Sequence, residues 1–175
     1  MSIKTIFLDR DGVINKEVNY LYEIEEFEFI DGIFETCRYL LNLDYELIII
    51  TNQSGISKGY YSENDFQKIN KWMLEEFKKN GVTISDVFHC PHSPEDNCLC
   101  RKPLPGMILH AQKKHKIDLA KSWLVGDKET DIIAANKSGI VQTILVRSGH
   151  KIDESSSSAN YIIDSIKDLR EIIGI

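Results

Sequence analysis

The sequence predicts an α/β protein in three layers, a doubly wound parallel sheet with helices on both faces. Three observations lead there. Short apolar runs alternate with segments of helical spacing along the chain, the pattern of repeated strand-helix units. Ile6-Phe7-Leu8, Leu47-Ile48-Ile49-Ile50 and Trp123-Leu124-Val125 are apolar without alternation, as strands covered on both faces require. Each of these runs ends in polar or acidic residues, and in such sheets ligands bind beyond the carboxyl ends of the strands.

The 175 residues are enough for one domain with a sizeable core and no disulfides. Apolar residues make up 42% and charged residues 27%, ordinary values for a globular protein. With 21 Lys plus Arg against 27 Asp plus Glu, the net charge of -6 argues against a general nucleic-acid or membrane-surface binder, although a small basic pocket is still allowed. No stretch approaches the roughly 18 apolar residues of a membrane span, and the N-terminus enters the first strand without a signal-peptide pattern. A cytoplasmic protein, acting as a monomer, is expected.

The first strand delivers Asp9 and Asp11 to a loop that begins at Gly12. Residues two apart in an extended segment point to the same side, so both carboxylates can face one pocket. Such close anions repel unless a cation lies between them or one holds a proton. A hard ion such as Mg2+ would join one carboxylate to a substrate phosphate, and a protonated second carboxylate would serve as an acid toward a leaving oxygen. Alone, Asp-Arg-Asp-Gly reads equally well as a charged turn.

Asn15 to Ile30, with Asn19, Tyr20, Tyr22 and the acidic-aromatic run Glu25 to Phe29, reads as a loop over the strand end. Gly32 to Leu43 is a helix with Ile33, Phe34, Cys37, Leu40 and Leu41 on its buried face, Cys37 being inert core. The second strand ends in Thr51-Asn52-Gln53-Ser54-Gly55, where a hydroxyl and backbone amides near a glycine suit phosphate oxygens; a capped loop before the next helix is the alternative. Ser62 to Asn80 is an amphipathic helix closed by Gly81, with Phe66, Ile69, Met73, Leu74 and Phe77 inward and Trp72 partly exposed. Val82 to Phe88 is a weaker strand.

Three of the four cysteines fall in Cys90-Pro-His92-Ser-Pro-Glu-Asp-Asn-Cys98-Leu-Cys100. Three thiolates and an imidazole make a closed tetrahedral set, the signature of structural Zn2+, and a loop with two prolines and no apolar core needs such a staple. His89 is adjacent, but the alternate-residue spacing favours His92. Arg101 and Lys102 follow at once: a compact charge for a phosphate and a fork for a second phosphate or a hydroxyl, unless they are a solvated basic pair.

Gly106 to His115 is a helix with His110 and His115 at its surface or boundary. The Trp123 strand ends in Gly126-Asp127-Lys128-Glu129-Thr130-Asp131; Asp127 can complete the Mg2+ site begun by Asp9, and Asp131 can support Asp127 or cap the helix that runs to Gly139. A strand from Thr143 to Val146, a turn at Gly149, a low-complexity loop over Ser155 to Ser158, a strand from Tyr161 to Ile163 and a helix from Ile166 to Ile173 complete the chain. With no repeat and no linker, residues 1-175 are expected to form a single domain with the zinc loop, 90-100, inserted within it.

Asp9-x-Asp11-Gly-Val, Thr51-Asn52, Lys102 and Gly126-Asp127-x-x-x-Asp131, in that order, resemble the four motifs of the haloacid dehalogenase superfamily. The Cys-x-His-x5-Cys-x-Cys-Arg-Lys-Pro loop is similar to its zinc-binding branch of histidinol phosphatases and heptose-bisphosphate phosphatases. Asn19-Tyr20, Glu25 to Gly32, Pro105-Gly106-Met107 and Leu145 to Gly149 are of the heptose type, while the five-residue gap from His92 to Cys98 is also found in histidinol phosphatases.

The resemblance implies a Rossmann-like sheet of haloacid dehalogenase type with no large cap domain. It implies Asp9 as nucleophile, Asp11 as acid and base, and Thr51 and Lys102 as the phosphoryl cradle. Mg2+ would be held by Asp9, the Asp11 main-chain carbonyl and Asp127, and structural Zn2+ by Cys90, His92, Cys98 and Cys100. Arg10, Glu17, Val18, Asn19, Tyr20, Asn52, Gln53, Ser54, Arg101 and Lys128 would contact the substrate. The implied reaction removes the C7 phosphate of a heptose 1,7-bisphosphate, a small sugar substrate, in nucleotide-heptose synthesis for lipopolysaccharide. Histidinol phosphate is the rival substrate. A non-catalytic phospho-accepting module is the other rival, against which the Asp9-x-Asp11 pair speaks, since Asp11 is placed to destroy a phosphoenzyme.

Overall fold

The computed structural model describes residues 2–174, so Met1 and Ile175 of the expected single domain lie outside the described residues. Six strands pair in parallel in one sheet: β1 (Thr5–Leu8), β2 (Glu46–Asn52), β3 (Asp86–Cys90), β4 (Trp123–Gly126), β5 (Gln142–Val146) and β6 (Tyr161–Ile163). Their order is β3-β2-β1-β4-β5-β6. Four helices lie between them: α1 (Ile33–Asn42), α2 (Glu63–Lys79), α3 (Gly106–His115) and α4 (Glu129–Ser138).

Side chains alternate across the sheet and feed two cores. Ile6, Leu8, Leu47, Ile49 and Val125 pack with Cys37 and Leu40 of α1 and with Ile69, Met73 and Phe77 of α2. Phe7, Ile48, Ile50 and Leu124 point the other way, onto Met107, Ile108 and Ala111 of α3 and Ile132, Ala134 and Ala135 of α4. This two-sided burial is why the central strands are apolar throughout.

Two elements differ from the sequence reading. β3 starts later and runs further, because Asp86 to Cys90 pair with Ile48 to Asn52, while Val82 is buried without entering the ladder. As an edge strand it tolerates Asp86 and His89, so its apolar signal stops short of its hydrogen bonds. The closing segment is a 3-10 helix over Ile166–Glu171 rather than a helix to Ile173; its buried Ile166 and Leu169 are three apart, the repeat of that tighter turn.

Residues 15–30 fold back over the strand ends. Lys16 N donates to Glu28 O at 2.8 Å and Ile30 N to Ile14 O at 2.9 Å. Phe27 and Phe29 turn inward against Trp72 at 5.3 and 5.8 Å, while Glu25, Glu26 and Glu28 face solvent. Among the described residues no helix is long and apolar enough to cross a membrane.

The Ser62 hydroxyl accepts from Asp65 N at 3.1 Å, and the Asp65 carboxylate accepts from Ser62 N at 2.8 Å, a reciprocal cap at the start of α2. Ser62→Ala is expected to lower unfolding free energy by about 1 kcal/mol in urea titration while leaving the denaturant slope unchanged.

Candidate active site

β1 lies between β2 and β4, so the chain order reverses at β1, the place where open α/β sheets bind ligands. A cavity of about 320 Å³ opens there. Asp9 and Asp11 reach it from β1, Asp127 and Asp131 from β4 and the start of α4, and Lys102 from the segment after the cysteine loop.

Lys102 is the cation at the centre. Its Nζ lies 2.9 Å from Asp9 Oδ1 and 2.6 Å from Asp131 Oδ1, and it donates to Ile50 O at 3.0 Å, with all three side chains nearly buried. Burial opposes the Lys102 charge, yet Asp131 and Asp9 outweigh it and raise its pKa. Burial pushes the Asp9 carboxyl well above its ordinary value; Lys102 opposes that rise, and Asp131, Asp127 and Asp11 add to it. The Asp127 carboxyl is pushed up to about 6 by burial and the neighbouring Asp131 charge. The pocket therefore holds more negative charge than Lys102 offsets.

A divalent cation fits that excess. Asp9, Asp127 and Asp131 offer oxygens all within 4.8 Å of one another. Asp131 has its own partners: Oδ1 pairs with Lys102, and Oδ2 accepts from Asp127 N and Lys128 N at 3.2 and 3.1 Å. Asp127 Oδ1, by contrast, is buried and has no hydrogen-bond partner. An all-oxygen donor set with one orphaned carboxylate oxygen suits Mg2+, with Asp9 and Asp127 as its side-chain ligands and Asp131 as support. Gly12 is needed beside them: its φ is +90°, and a Cβ there would overlap Asp127 Oδ2.

Asp11 lines the same cavity but turns away from that cluster. Arg10 Nη2 donates to Asp11 Oδ1 at 2.9 Å, Asn15 Nδ2 to Oδ1 at 3.0 Å and Gln53 Nε2 to Oδ2 at 3.1 Å. Arg10, expected at the substrate, is instead 1% exposed and serves Asp11 and the Leu21 carbonyl, because its long side chain runs back under the loop. Thr51 is buried with its Oγ1 accepting from Gln53 Nε2 at 2.8 Å.

The four residues of the cysteine loop converge. Cys90 Sγ is 3.4 Å from His92 Nδ1, 3.6 Å from Cys98 Sγ and 3.0 Å from Cys100 Sγ, and His92 Nδ1 is 3.3 Å from Cys100 Sγ. These are four of the six separations in the set, and all four ligand atoms lie within 4.8 Å of one another, so the set is fit for a metal. Arg101 Nη1 donates to His92 O at 3.2 Å, which ties it to the same loop.

Of the residues expected at the substrate, Glu17, Val18, Asn19, Tyr20, Asn52, Gln53, Ser54, Arg101 and Lys128 line the cavity. Several of them have side chains engaged with other protein groups, Asn52 and Gln53 most of all. Asn52 clamps the Lys102 backbone, accepting from Lys102 N at 3.1 Å and donating to Lys102 O at 3.2 Å. The Gln53 amide joins Asp11, Thr51 and the Tyr61 hydroxyl. Lys58, Tyr61, Pro94, Thr130 and His150 also line the cavity without having been singled out. Applied to β5, the rule that sites gather past strand ends marks His150; nothing in the sequence pairs Tyr61 with Gln53.

A doubly wound sheet carrying Asp9-x-Asp11, Lys102 and Asp127 around one cavity is the architecture of a phosphoric monoester hydrolase of haloacid dehalogenase type. The comparisons agree. A family described as HAD-hydrolase-like matches residues 99–169. The chain is 49% identical to the D-glycero-alpha-D-manno-heptose-1,7-bisphosphate 7-phosphatase of Photorhabdus laumondii over 90% of each chain. It is 40% identical to the corresponding beta-named phosphatase of Yersinia pestis, over 98% of this chain and 96% of that one. Among solved structures, the D,D-heptose 1,7-bisphosphate phosphatase of B. bronchiseptica, complexed with magnesium and phosphate, superposes with a TM-score of 0.84 at 29% identity over 97% of both chains. The chain belongs to the heptose-bisphosphate phosphatase family of haloacid-dehalogenase-type hydrolases.

Replacing Lys102 by Met would leave Asp9 and Asp131 buried without their cation. Lys102→Met is expected to cost about 3–5 kcal/mol of stability in urea titration and at least ~100-fold in phosphate release.

Proposed function

We propose that this protein is a Mg2+-dependent phosphatase that removes the C7 phosphate of D-glycero-D-manno-heptose 1,7-bisphosphate. The observation that carries the reading is Asp9 held against buried Lys102 beside the orphaned oxygen of Asp127, in the same cavity as Asp11. The names of the relatives supply the sugar, and alpha-named relatives at 48–49% identity against beta-named ones at 40–44% favour the α anomer.

Asp9 attacks phosphorus in line, forming an aspartyl phosphate as the P–O bond to the sugar breaks. Asp11 gives a proton to the departing C7 oxygen, then takes one from the water that cleaves the acyl phosphate, regenerating Asp9. Asp9, the Asp11 main-chain carbonyl and Asp127 would hold Mg2+, which would supply positive charge to the phosphoryl oxygens. Lys102 orients Asp9 and adds a fixed charge, and Thr51 completes the cradle, its hydroxyl oriented by Gln53. The 17–20 loop, Ser54, Arg101 and Lys128 hold the sugar and its second phosphate.

The closed Cys90-His92-Cys98-Cys100 set takes a structural Zn2+, whose task is to fix Arg101 and Lys102. The enzyme acts on this reading as a monomer with a single domain in the cytoplasm, where clustered thiols stay reduced and free to hold the ion.

Phosphate release with Mg2+ tests the substrate: both anomers of the bisphosphate are compared with histidinol phosphate, the substrate that the short His92 to Cys98 gap would otherwise favour. Multiple turnovers preferring the α bisphosphate are expected; preference for histidinol phosphate would overturn the reading. Asp9→Asn should abolish turnover, whereas Asp11→Asn should slow it by at least ~100-fold and retain Mg2+ binding by calorimetry. Stripping the zinc should expose residues 91–99 to proteolysis and lower activity. Full activity with Mg2+ alone, in protein verified as zinc-free, would contradict a structural role.

A further inference from the structure

His150 belongs to no motif invoked above, yet it touches both the metal site and the substrate loop. It follows Gly149 beyond β5 and lines the cavity with its side chain one-third exposed, at 33%. His150 N donates to Asp127 Oδ2 at 2.9 Å, and His150 Nδ1 lies 2.6 Å from that same oxygen. The other oxygen, Oδ1, is the buried one that has no partner. On the far side of the ring, Nε2 stands 3.5 Å from Glu17 Oε1, on the loop over the strand ends.

We infer that His150 is a further positioning residue: it holds Asp127 so that Oδ1 alone faces the cation, and its other ring edge stands against Glu17, placing the metal site beside the substrate loop. The inference rests on the Mg2+ site of the proposed function. Its physical basis is the unequal loading of one carboxylate. Turning the Asp127 carboxylate about its Cβ–Cγ bond would take Oδ2 away from two donors at once, so the orientation of Oδ1 is set before any ion arrives.

The ring is itself held in place. Ser148 Oγ donates to Gly12 O at 2.8 Å, joining the loop beyond β5 to the loop beyond β1. A Cβ at Gly149 would overlap Asp127 Oδ2, so the absence of a side chain there is what lets His150 N approach. The two ring nitrogens thus do separate jobs, and substitutions can separate them. An Asn amide reproduces a donor close to the position of Nδ1 and has nothing where Nε2 stands. Alanine removes both.

The test uses zinc-loaded full-length His150→Ala and His150→Asn beside the parent protein. Mg2+ affinity is measured by calorimetry without substrate, and KM and kcat at saturating Mg2+. His150→Ala is expected to weaken Mg2+ binding by roughly 10-fold or more and to raise KM. His150→Asn is expected to recover Mg2+ affinity to within about threefold of the parent while keeping the raised KM. Glu17→Ala, which leaves Asp127 untouched, should raise KM without changing Mg2+ affinity, and it carries the second half of the inference if His150→Ala does not fold.

Unchanged Mg2+ affinity and KM in His150→Ala would overturn the inference while the phosphatase reading stands. Equal loss of Mg2+ affinity in the Ala and Asn variants would overturn the donor role assigned to Nδ1. A parent protein that neither binds Mg2+ nor releases phosphate would instead remove the reading beneath it.

Discussion

The constraint on which the site depends is one ammonium shared by two buried carboxylates, with a third close by. Buried charges are tolerated only when paired and hydrogen-bonded, so the position of Lys102 Nζ decides whether Asp9 can exist as an anion at a strand end. Lys102 has neither strand nor helix to place it. Its backbone is clamped on both N and O by Asn52, and two residues earlier the chain is anchored at Cys100. Asn52 and Cys90 are directly opposed where β2 pairs with β3, so one stretch of sheet register fixes the clamp and the start of the cysteine loop together. The cysteine cluster is thereby coupled to Asp9 through backbone geometry, without touching it.

Asp11 is arranged by different means. It accepts from Arg10, Asn15 and Gln53, which belong to two separate strand-end segments, and Gln53 is held in turn by the Tyr61 hydroxyl. An acid-base group must meet first a leaving oxygen and then a water along nearly the same line, so a fixed carboxylate serves both half-reactions better than a mobile one. Asp9 and Asp11 are two residues apart, yet their partners barely overlap: Lys102 for one, Arg10 and amides for the other. That division lets neighbouring carboxylates carry different roles.

The sheet was legible where burial is two-sided. β1, β2 and β4 are continuous apolar runs, and the polar and acidic residues beyond them mark the end at which the cavity opens. Legibility failed at the edge, where β3 keeps hydrogen-bonding through His89 and Cys90 after its apolar pattern has ended. Within the site, the sequence revealed which residues arrive at the cavity, but not which of them spend their side chains on one another. Arg10, Asn52 and Gln53 looked like substrate ligands because of their neighbours in the chain; their partners are Asp11, Lys102 and Tyr61, fixed by rotamer and register that no spacing rule encodes. His150 was missed for another reason: it follows directly on the heptose-type segment Leu145 to Gly149, one position past the residues singled out.

An open cavity without a large cap must select its substrate from the rim. The protein as a whole carries a net charge of -6, yet Lys58, Arg101 and Lys128 stand around the mouth above the acidic floor. That gradient suits the proposed bisphosphate substrate: one phosphate would sit on the floor, where Lys102 and a divalent ion would offset its charge, and the other would stay among the outer cations. Arg101 and Lys102 are consecutive, and Arg101 is also hydrogen-bonded to His92 O. The same loop therefore delivers the inner and the outer charge at a fixed separation along the chain. Loosening that loop would blur the distance between the two anion sites as well as the nucleophile's partner, so substrate discrimination and rate are bound to fall together. Lys58 and Lys128, which lie outside that loop, would keep their places while Arg101 lost its own.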